Sequence, residues 1–131
     1  MSDIREIRSA QAPRPVGPYA QAVVHAGMVY CSGQVPLDPA TNTLVDGEIE
    51  VQTERVLANL RAVLAAAGSS LARVVRTTVY LANLDDFPRM NAVYAQHFSS
   101  EPRPARSTVQ AARLPLGAAV EIDVIAALDA R

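Results

Sequence analysis

Two charged side chains interrupt apolar, strand-like stretches near the end of the sequence. Arg106 lies near the start of the stretch 105–111, and Glu121 lies inside the stretch 119–128. Arginine and glutamate are seldom fully buried unless they are paired or used. A guanidinium can hold a carboxylate through two parallel hydrogen bonds, and a glutamate can take a proton from water. On neighbouring strands, this pair could therefore hold a small carboxylate and act on it.

Both residues also have a purely structural interpretation. Strand alternation puts Glu121 and Asp123 on one face, which is also the pattern of a half-exposed strand with a solvated acidic side. Arg106 shares a polar face with Thr108, and that pattern suits either solvent or a polar cleft. The residues alone leave both interpretations open.

The remaining residue counts exclude several kinds of chemistry. Cys31 is the one cysteine, so no internal disulfide can form, and all 12 basic residues are arginine, so a lysine Schiff base is impossible. His25 and His97 are far apart and have no cysteine or acid at metal-ligand spacing. No glycine-rich phosphate loop is present. We therefore predict neither a metal nor a cofactor.

The composition indicates one globular domain spanning residues 1–131, since 50% of the residues are hydrophobic and 19% are charged. A net charge of −1 offers no basic surface for nucleic acid or for an anionic membrane. The chain does not open on a signal-like segment and has no apolar run of transmembrane length. We therefore expect a cytoplasmic protein that binds neither nucleic acid nor membrane.

Alternating apolar positions and turn residues predict the strands that must position these side chains. They cover 19–25, 28–32, 74–81, 105–111 and 119–128, after a short strand before residue 18. The first two flank a tight hairpin turn at Ala26 and Gly27. The proline-rich segment 36–42 is predicted to be a surface loop.

Two helices are predicted between the strands, because apolar residues there recur every three to four positions. The first ends at Gly68, and the second is capped by Asp85 or Asp86 and carries Pro88 in its first turn.

The order β-β-β-α-β-α-β-β predicts an α/β (α+β) fold with one mixed sheet and two helices on one of its faces. The strand–helix–strand unit over 74–111 should be a right-handed parallel crossover. Two helices can cover only one face, so the other needs a cover that a second copy of the chain could supply. An oligomer is therefore predicted.

Seven short motifs follow one another over most of the chain. They are GPYAQA at 17–22, SGQVP at 32–36, RTTVYL at 76–81, NAVY at 91–94, PARSTV at 104–109, LP at 114–115 and VEI at 120–122. In this order they resemble the RidA family, the YjgF-type reactive intermediate deaminases. The resemblance implies a chorismate-mutase-like fold, assembled as a homotrimer with its sites in clefts between subunits. It also implies hydrolysis of 2-imino acids, such as 2-iminopropanoate and 2-iminobutanoate, to 2-oxo acids and ammonia without a cofactor.

The same resemblance implies roles for individual residues. Arg106 matches the arginine that grips the substrate carboxylate, and Glu121 matches the acid that orients the hydrolytic water. The matched positions that line the cleft are Tyr19, Gly33, Asn91 and Thr108. Thr108 stands where many members have cysteine. A nearby Arg106 should favour the charged form of Glu121.

Two other functions remain as alternatives. A non-catalytic module could use the same arginine to bind or sense a 2-oxo acid or another small carboxylate. RNA binding or cleavage, which has been proposed for relatives, would require a basic surface that the composition does not suggest.

Overall fold

The computed structural model describes residues 3–129, which form eight strands, two α-helices and three one-turn 3-10 helices. The strands are β1 (Arg5–Ile7), β2 (Ala22–His25), β3 (Met28–Gln34), β4 (Leu37–Asp38), β5 (Thr43–Leu44), β6 (Val74–Leu81), β7 (Ala105–Gln110) and β8 (Val120–Ala127). The helices are α1 (Ile49–Ala67) and α2 (Phe87–His97).

Six of the described strands form one mixed sheet in the order β1-β2-β3-β8-β6-β7. Neighbouring strands are antiparallel except β6 and β7, which are parallel and are connected through α2. Ala26 and Gly27, with φ of 52° and 79°, form the turn between β2 and β3, as a two-residue hairpin requires. The mixed sheet and its parallel strand–helix–strand unit are thus confirmed.

The segment 36–42 is more ordered than the predicted surface loop. Strand β4 within it pairs with β5, and the side chain of Leu37 is buried. Strands of two residues are too short to show alternation, so the turn residues around them dominate the sequence pattern.

Helix α1 packs its apolar stripe against the sheet and ends where predicted. Gly68 has a left-handed φ of 83°, a conformation that favours glycine. The N–H of Ser69 donates to the carbonyl of Leu64 at 2.9 Å and closes the last turn. The fully buried stripe consists of Val56, Leu57, Leu60, Val63 and Leu64.

Helix α2 carries Pro88 in its first turn as predicted, but its predicted cap is wrong. Asp86 precedes the helix and makes no side-chain capping bond. A one-turn 3-10 helix directly precedes α2, and Asn83 caps that helix instead. Its Oδ1 accepts a hydrogen bond from the N–H of Asp85 at 2.9 Å. Neither helix within residues 3–129 is long and apolar enough to cross a membrane.

Successive side chains of strand β8 lie on opposite faces of the sheet, as its alternation predicts. Val120, Ile122 and Val124 are buried in the core with the helices, whereas Glu121 and Asp123 lie on the opposite face. Strand β6 follows its predicted alternation less closely. A bulge at its start buries the side chain of Val74 and leaves that of Val75 exposed.

The face that carries Glu121 has no helix on it within the described residues. Tyr30 and Val109 lie on this face and are 42% and 44% exposed. Two helices on one face of the sheet are thus confirmed, and the homotrimer stays a prediction.

Candidate functional site

Arg106 lies on strand β7 at the edge of the sheet and faces α2. It stands opposite Thr77 of β6, which is fully buried on the helix-covered face, and paired residues share a face. Its Nη1 donates to Oδ1 of Asn91 at 2.7 Å. Asn91 therefore fixes one corner of the guanidinium and leaves the other N–H groups for a ligand.

Two aromatic rings of α2 lie against the same guanidinium. Its Cζ is 4.7 Å from the ring centroid of Tyr94 and 5.3 Å from that of Phe87. The Tyr94 hydroxyl is 2.8 Å from Oγ1 of Thr77, a bond that fixes the ring. Burial raises the pKa of Tyr94, so the ring stays neutral beside the cation. The strand and the helix together hold Arg106 in place.

A cavity of about 390 Å³ opens beside this guanidinium. Its lining combines aromatic and apolar side chains with two arginines, and none of the lining residues in the described chain is acidic. They are Asn91, Tyr94, Ala95, Phe98, Arg103, Pro104 and Arg106. A positively charged pocket of this kind suits a small organic anion.

Glu121 lies on the opposite face of the sheet, directly against Gly33 of β3. A Cβ at Gly33 would overlap Oε2 of Glu121 and come within 2.9 Å of its Cδ. Glycine at this position therefore leaves the Glu121 carboxylate where it is, whereas any larger residue would displace it.

Burial, and then the negative charge of Asp123, raise the pKa of Glu121. We expected Arg106 to hold this carboxyl in its charged form, and that expectation is wrong within one protomer. The guanidinium lies on the other side of the sheet and has no part in the shift. A carboxyl with a raised pKa is a better proton acceptor than an ordinary glutamate.

Arg106 and Glu121 do not converge within a single protomer. The expectation of neighbouring strands is wrong, because β6 lies between β7 and β8. Glu121 stands opposite Tyr80 of β6, whereas Arg106 stands opposite Thr77. Residues three apart on one strand point to opposite faces, so the two charged groups do as well.

Asn91 and Thr108 lie on the same side as Arg106. Asn91 contacts the guanidinium, so its amide positions Arg106. Thr108 is two residues further along β7 on the same face, and its Oγ1 is buried with no hydrogen-bond partner among the described residues. Thr108 does not line the cavity beside Arg106, so its predicted place in the cleft stays a prediction.

Gly33 lies with Glu121, and Tyr19 lies in a loop that is tied to Ser32, the residue before Gly33. Tyr19 is 52% exposed in the loop before β2. Ser32 Oγ donates to the carbonyl of Ala20 at 2.6 Å and ties that loop to β3, next to Gly33. Arg106, Asn91 and Thr108 therefore lie on the helix-covered side of the sheet, and Glu121 and Gly33 lie on the opposite face.

Cys31 and His97, which could also be reactive, lie in surroundings that indicate a structural role. Burial, and then the charge of Asp123, raise the pKa of the Cys31 thiol to about 12. His97 of α2 pairs with two residues of α1. Its Nε2 lies 3.0 Å from Oε2 of Glu54, and its Nδ1 lies 2.7 Å from Nη2 of Arg61. Within residues 3–129, no group of three histidine, cysteine or acidic side chains is placed to hold a metal ion.

Sequence reasoning missed three residues of this site. Phe87 and Tyr94 stand four residues before and three residues after Asn91, so helical spacing puts all three on one face of α2. That pattern could have identified the aromatic support of Arg106. Arg103 precedes β7 in irregular structure, where no periodicity indicates its direction.

A family model, sequence relatives and solved structures all match this chain over most of its length. A family model described as Endoribonuclease L-PSP matches residues 9–128. Protein DfrA of Myxococcus xanthus is 54% identical over 124 residues, which cover 93% of this chain and 94% of that protein. Reactive Intermediate Deaminase A, chloroplastic, of Arabidopsis thaliana is 44% identical over 122 residues, which cover 93% of this chain and 65% of that protein. The crystal structure of E. coli TdcF with bound serine has a TM-score of 0.89 and 37% identity, over 95% of this chain and 99% of that one.

Proposed function

The chain belongs to the Endoribonuclease L-PSP family, which includes the YjgF/RidA proteins, and from this premise we propose that it hydrolyses small 2-imino acids. The substrates are reactive imines such as 2-iminopropanoate and 2-iminobutanoate, and the products are the 2-oxo acid and ammonia. The Arabidopsis relative carries the name of a deaminase, which supports this choice. The net charge of −1 gives no electrostatic support to the RNA chemistry in the family's name.

The preorganised guanidinium of Arg106 is the observation that carries the proposal. One of its corners is bonded to Asn91 at 2.7 Å, and its Cζ lies over the rings of Tyr94 and Phe87. Such a group binds a carboxylate with little loss of side-chain freedom, because it is already ordered. The TdcF structure with bound serine supports an amino-acid-like ligand for this fold.

The complete site requires two copies of the chain. Arg106 and Glu121 lie on opposite faces of one sheet, so the Glu121 face of one copy must lie against the Arg106 edge of another. The face that carries Glu121 exposes Tyr30 and Val109 and has no helix over it. Three copies in a closed ring would give three equal sites, and this is the homotrimer that we propose.

The mechanism follows from the roles of the two charged groups. Arg106 holds the carboxylate and so fixes the imine carbon next to it. Glu121 of the neighbouring copy takes a proton from water while the water oxygen bonds to that carbon, and the C=N electron pair moves to nitrogen. Glu121 then returns the proton to nitrogen. The C–N bond breaks, the C=O bond forms, and the hydroxyl proton leaves with the ammonia.

A coupled assay tests this function. Threonine dehydratase generates the imine, semicarbazide traps what remains, and the protein should lower the trapped amount. Arg106→Ala should abolish this effect, because the carboxylate loses its anchor. Arg8→Ala is the matched control, since among the described residues the side chain of Arg8 pairs only with the exposed Glu6, an ion pair of little energetic weight.

Three outcomes are informative. Equal trapping with and without the wild-type protein would exclude the deaminase function. Loss of activity in both arginine variants would show that Arg106 has no special role. Stabilisation of the wild-type protein by 2-oxobutanoate, with no imine turnover, would instead support the non-catalytic binding module.

A further inference from the structure

A second arginine faces the cavity beside Arg106. Arg103 lies three residues earlier in the chain, and both side chains line the same space of about 390 Å³. An extended chain advances about 3.3 Å per residue, so the two backbone positions are no more than about 10 Å apart. Two positive groups therefore face one pocket from neighbouring points on its wall.

Arg103 is anchored in a way that leaves part of its guanidinium open. Its Nε donates to the carbonyl of Phe98 at 3.1 Å, and its Nη1 donates to Oε1 of Glu101 at 2.7 Å. Nη2 makes no hydrogen bond within the described residues. The anchored Nε orients the group, and the open Nη2 can donate to a ligand.

The partner of Arg103 is easy to displace. The side chains of Arg103 and Glu101 are 56% and 75% exposed. An exposed ion pair of this kind contributes about 0–1 kcal/mol. A ligand carboxylate that is already held at its other end can therefore replace Glu101.

The cavity of about 390 Å³ on one protomer is lined by both Arg106 and Arg103. A substrate with a longer, charged side chain would use space and charge that a methyl or ethyl side chain leaves unused.

We propose that Arg103 forms a second anion subsite, which selects 2-imino acids that carry a side-chain carboxylate. Arg106 binds the carboxylate next to the imine carbon, and Arg103 binds the distal one. The substrate class is the imines of short acidic amino acids. This inference rests on the proposed function and adds the identity of the substrate side chain.

Paired imines and paired oxo acids test the subsite. An amino-acid oxidase generates imines from glutamate and from 2-aminobutanoate, and semicarbazide trapping gives kcat/KM for each. Calorimetry measures Kd for 2-oxoglutarate and 2-oxobutanoate in parallel. Wild type should favour both dicarboxylates. Arg103→Gln should weaken them about tenfold, which is about 1.4 kcal/mol, and should change the monocarboxylates less than about twofold.

Glu101→Gln is the matched variant, because it removes the competing carboxylate and should tighten dicarboxylate binding. Equal values for the two ligand classes in wild type, or an equal loss for both in Arg103→Gln, would overturn the subsite while leaving the deaminase function intact. Absence of both turnover and oxo-acid binding in wild type would overturn the two proposals together.

Discussion

Arg106 is held in place by its own neighbours before any ligand arrives. The ring of Tyr94 lies 4.7 Å from its Cζ, and a cation over an aromatic ring gains about 0.5–1 kcal/mol, or about 2 when water is excluded. Arginine suits this position because a planar guanidinium can stack on a ring and still present N–H groups at its edge. Lysine could not do both.

Two substitutions separate the ring of Tyr94 from its hydroxyl. Tyr94→Phe should lower stability by about 1–2 kcal/mol, because Thr77 loses its partner, and should keep the affinity for 2-oxobutanoate. Tyr94→Leu should also weaken that affinity about tenfold, because the guanidinium loses its support. Thermal unfolding and calorimetry give the two quantities. Equal affinities of the two variants would show that the ring does not position Arg106.

Glu121 should impose an acid limit on activity. Because burial and Asp123 raise its pKa above the usual 4.5, the active base is lost as pH falls through that raised value. Asp123→Asn removes one cause of the shift and should move the acid limb of kcat/KM to lower pH. Glu121→Gln should retain ligand binding and lose most turnover. A limb that stays fixed in Asp123→Asn would separate it from Glu121.

The same pKa shift predicts a cost in stability. Between pH 4.5 and the raised pKa, the folded chain binds more protons at Glu121 than the unfolded chain does. Stability at this site therefore falls as pH rises through that window. Glu121→Gln should melt at the same temperature as wild type below the window and at a higher temperature above it. A lower melting temperature at neutral pH would contradict this.

At the scale of elements, β3 and β8 place Glu121 through a single close approach. Gly33→Ala should reduce turnover strongly, because the new Cβ occupies the position of the Glu121 carboxylate. Gly27→Ala is the control. Gly27 has open space around it but a φ of 79°, so alanine there should cost about 1–2 kcal/mol and leave turnover unchanged. Comparable turnover in the two variants would contradict the role of Gly33.

Elements with a strong period could be predicted from the sequence. The alternation of β8 and the apolar spacing of α1 and α2 gave their faces, because burial repeats every two or every 3.6 residues. The order of the strands could not be obtained in this way. Insertion of β6 between β7 and β8 depends on long-range pairing, and alternation in one strand does not reveal its neighbour.

The surroundings of individual site residues could also be predicted only in part from the sequence. Motifs identified Arg106, Asn91 and Glu121, and alternation gave the face of Glu121, but the face of Arg106 follows from its register with Thr77. The bulge at the start of β6 shows the same limit, because it changes which of Val74 and Val75 is buried without any break in the apolar pattern.

For the whole molecule, the division of the site between two faces predicts complementation. Arg106→Ala and Glu121→Gln should each be inactive alone. Mixed after unfolding and refolding, half of the subunits supply an intact arginine and half an intact glutamate, so about a quarter of the interfaces are complete. Activity should recover to about that fraction of wild type. No recovery in a mixture that has refolded and reassembled would mean that both groups act from one chain.

A freshly synthesised chain thus holds an anion receptor and a proton acceptor that point away from each other. On the proposed arrangement a single chain is inactive until it associates with other copies. Activity would therefore rise more steeply than linearly with protein concentration. Dilution that separates the copies would abolish activity without unfolding any subunit.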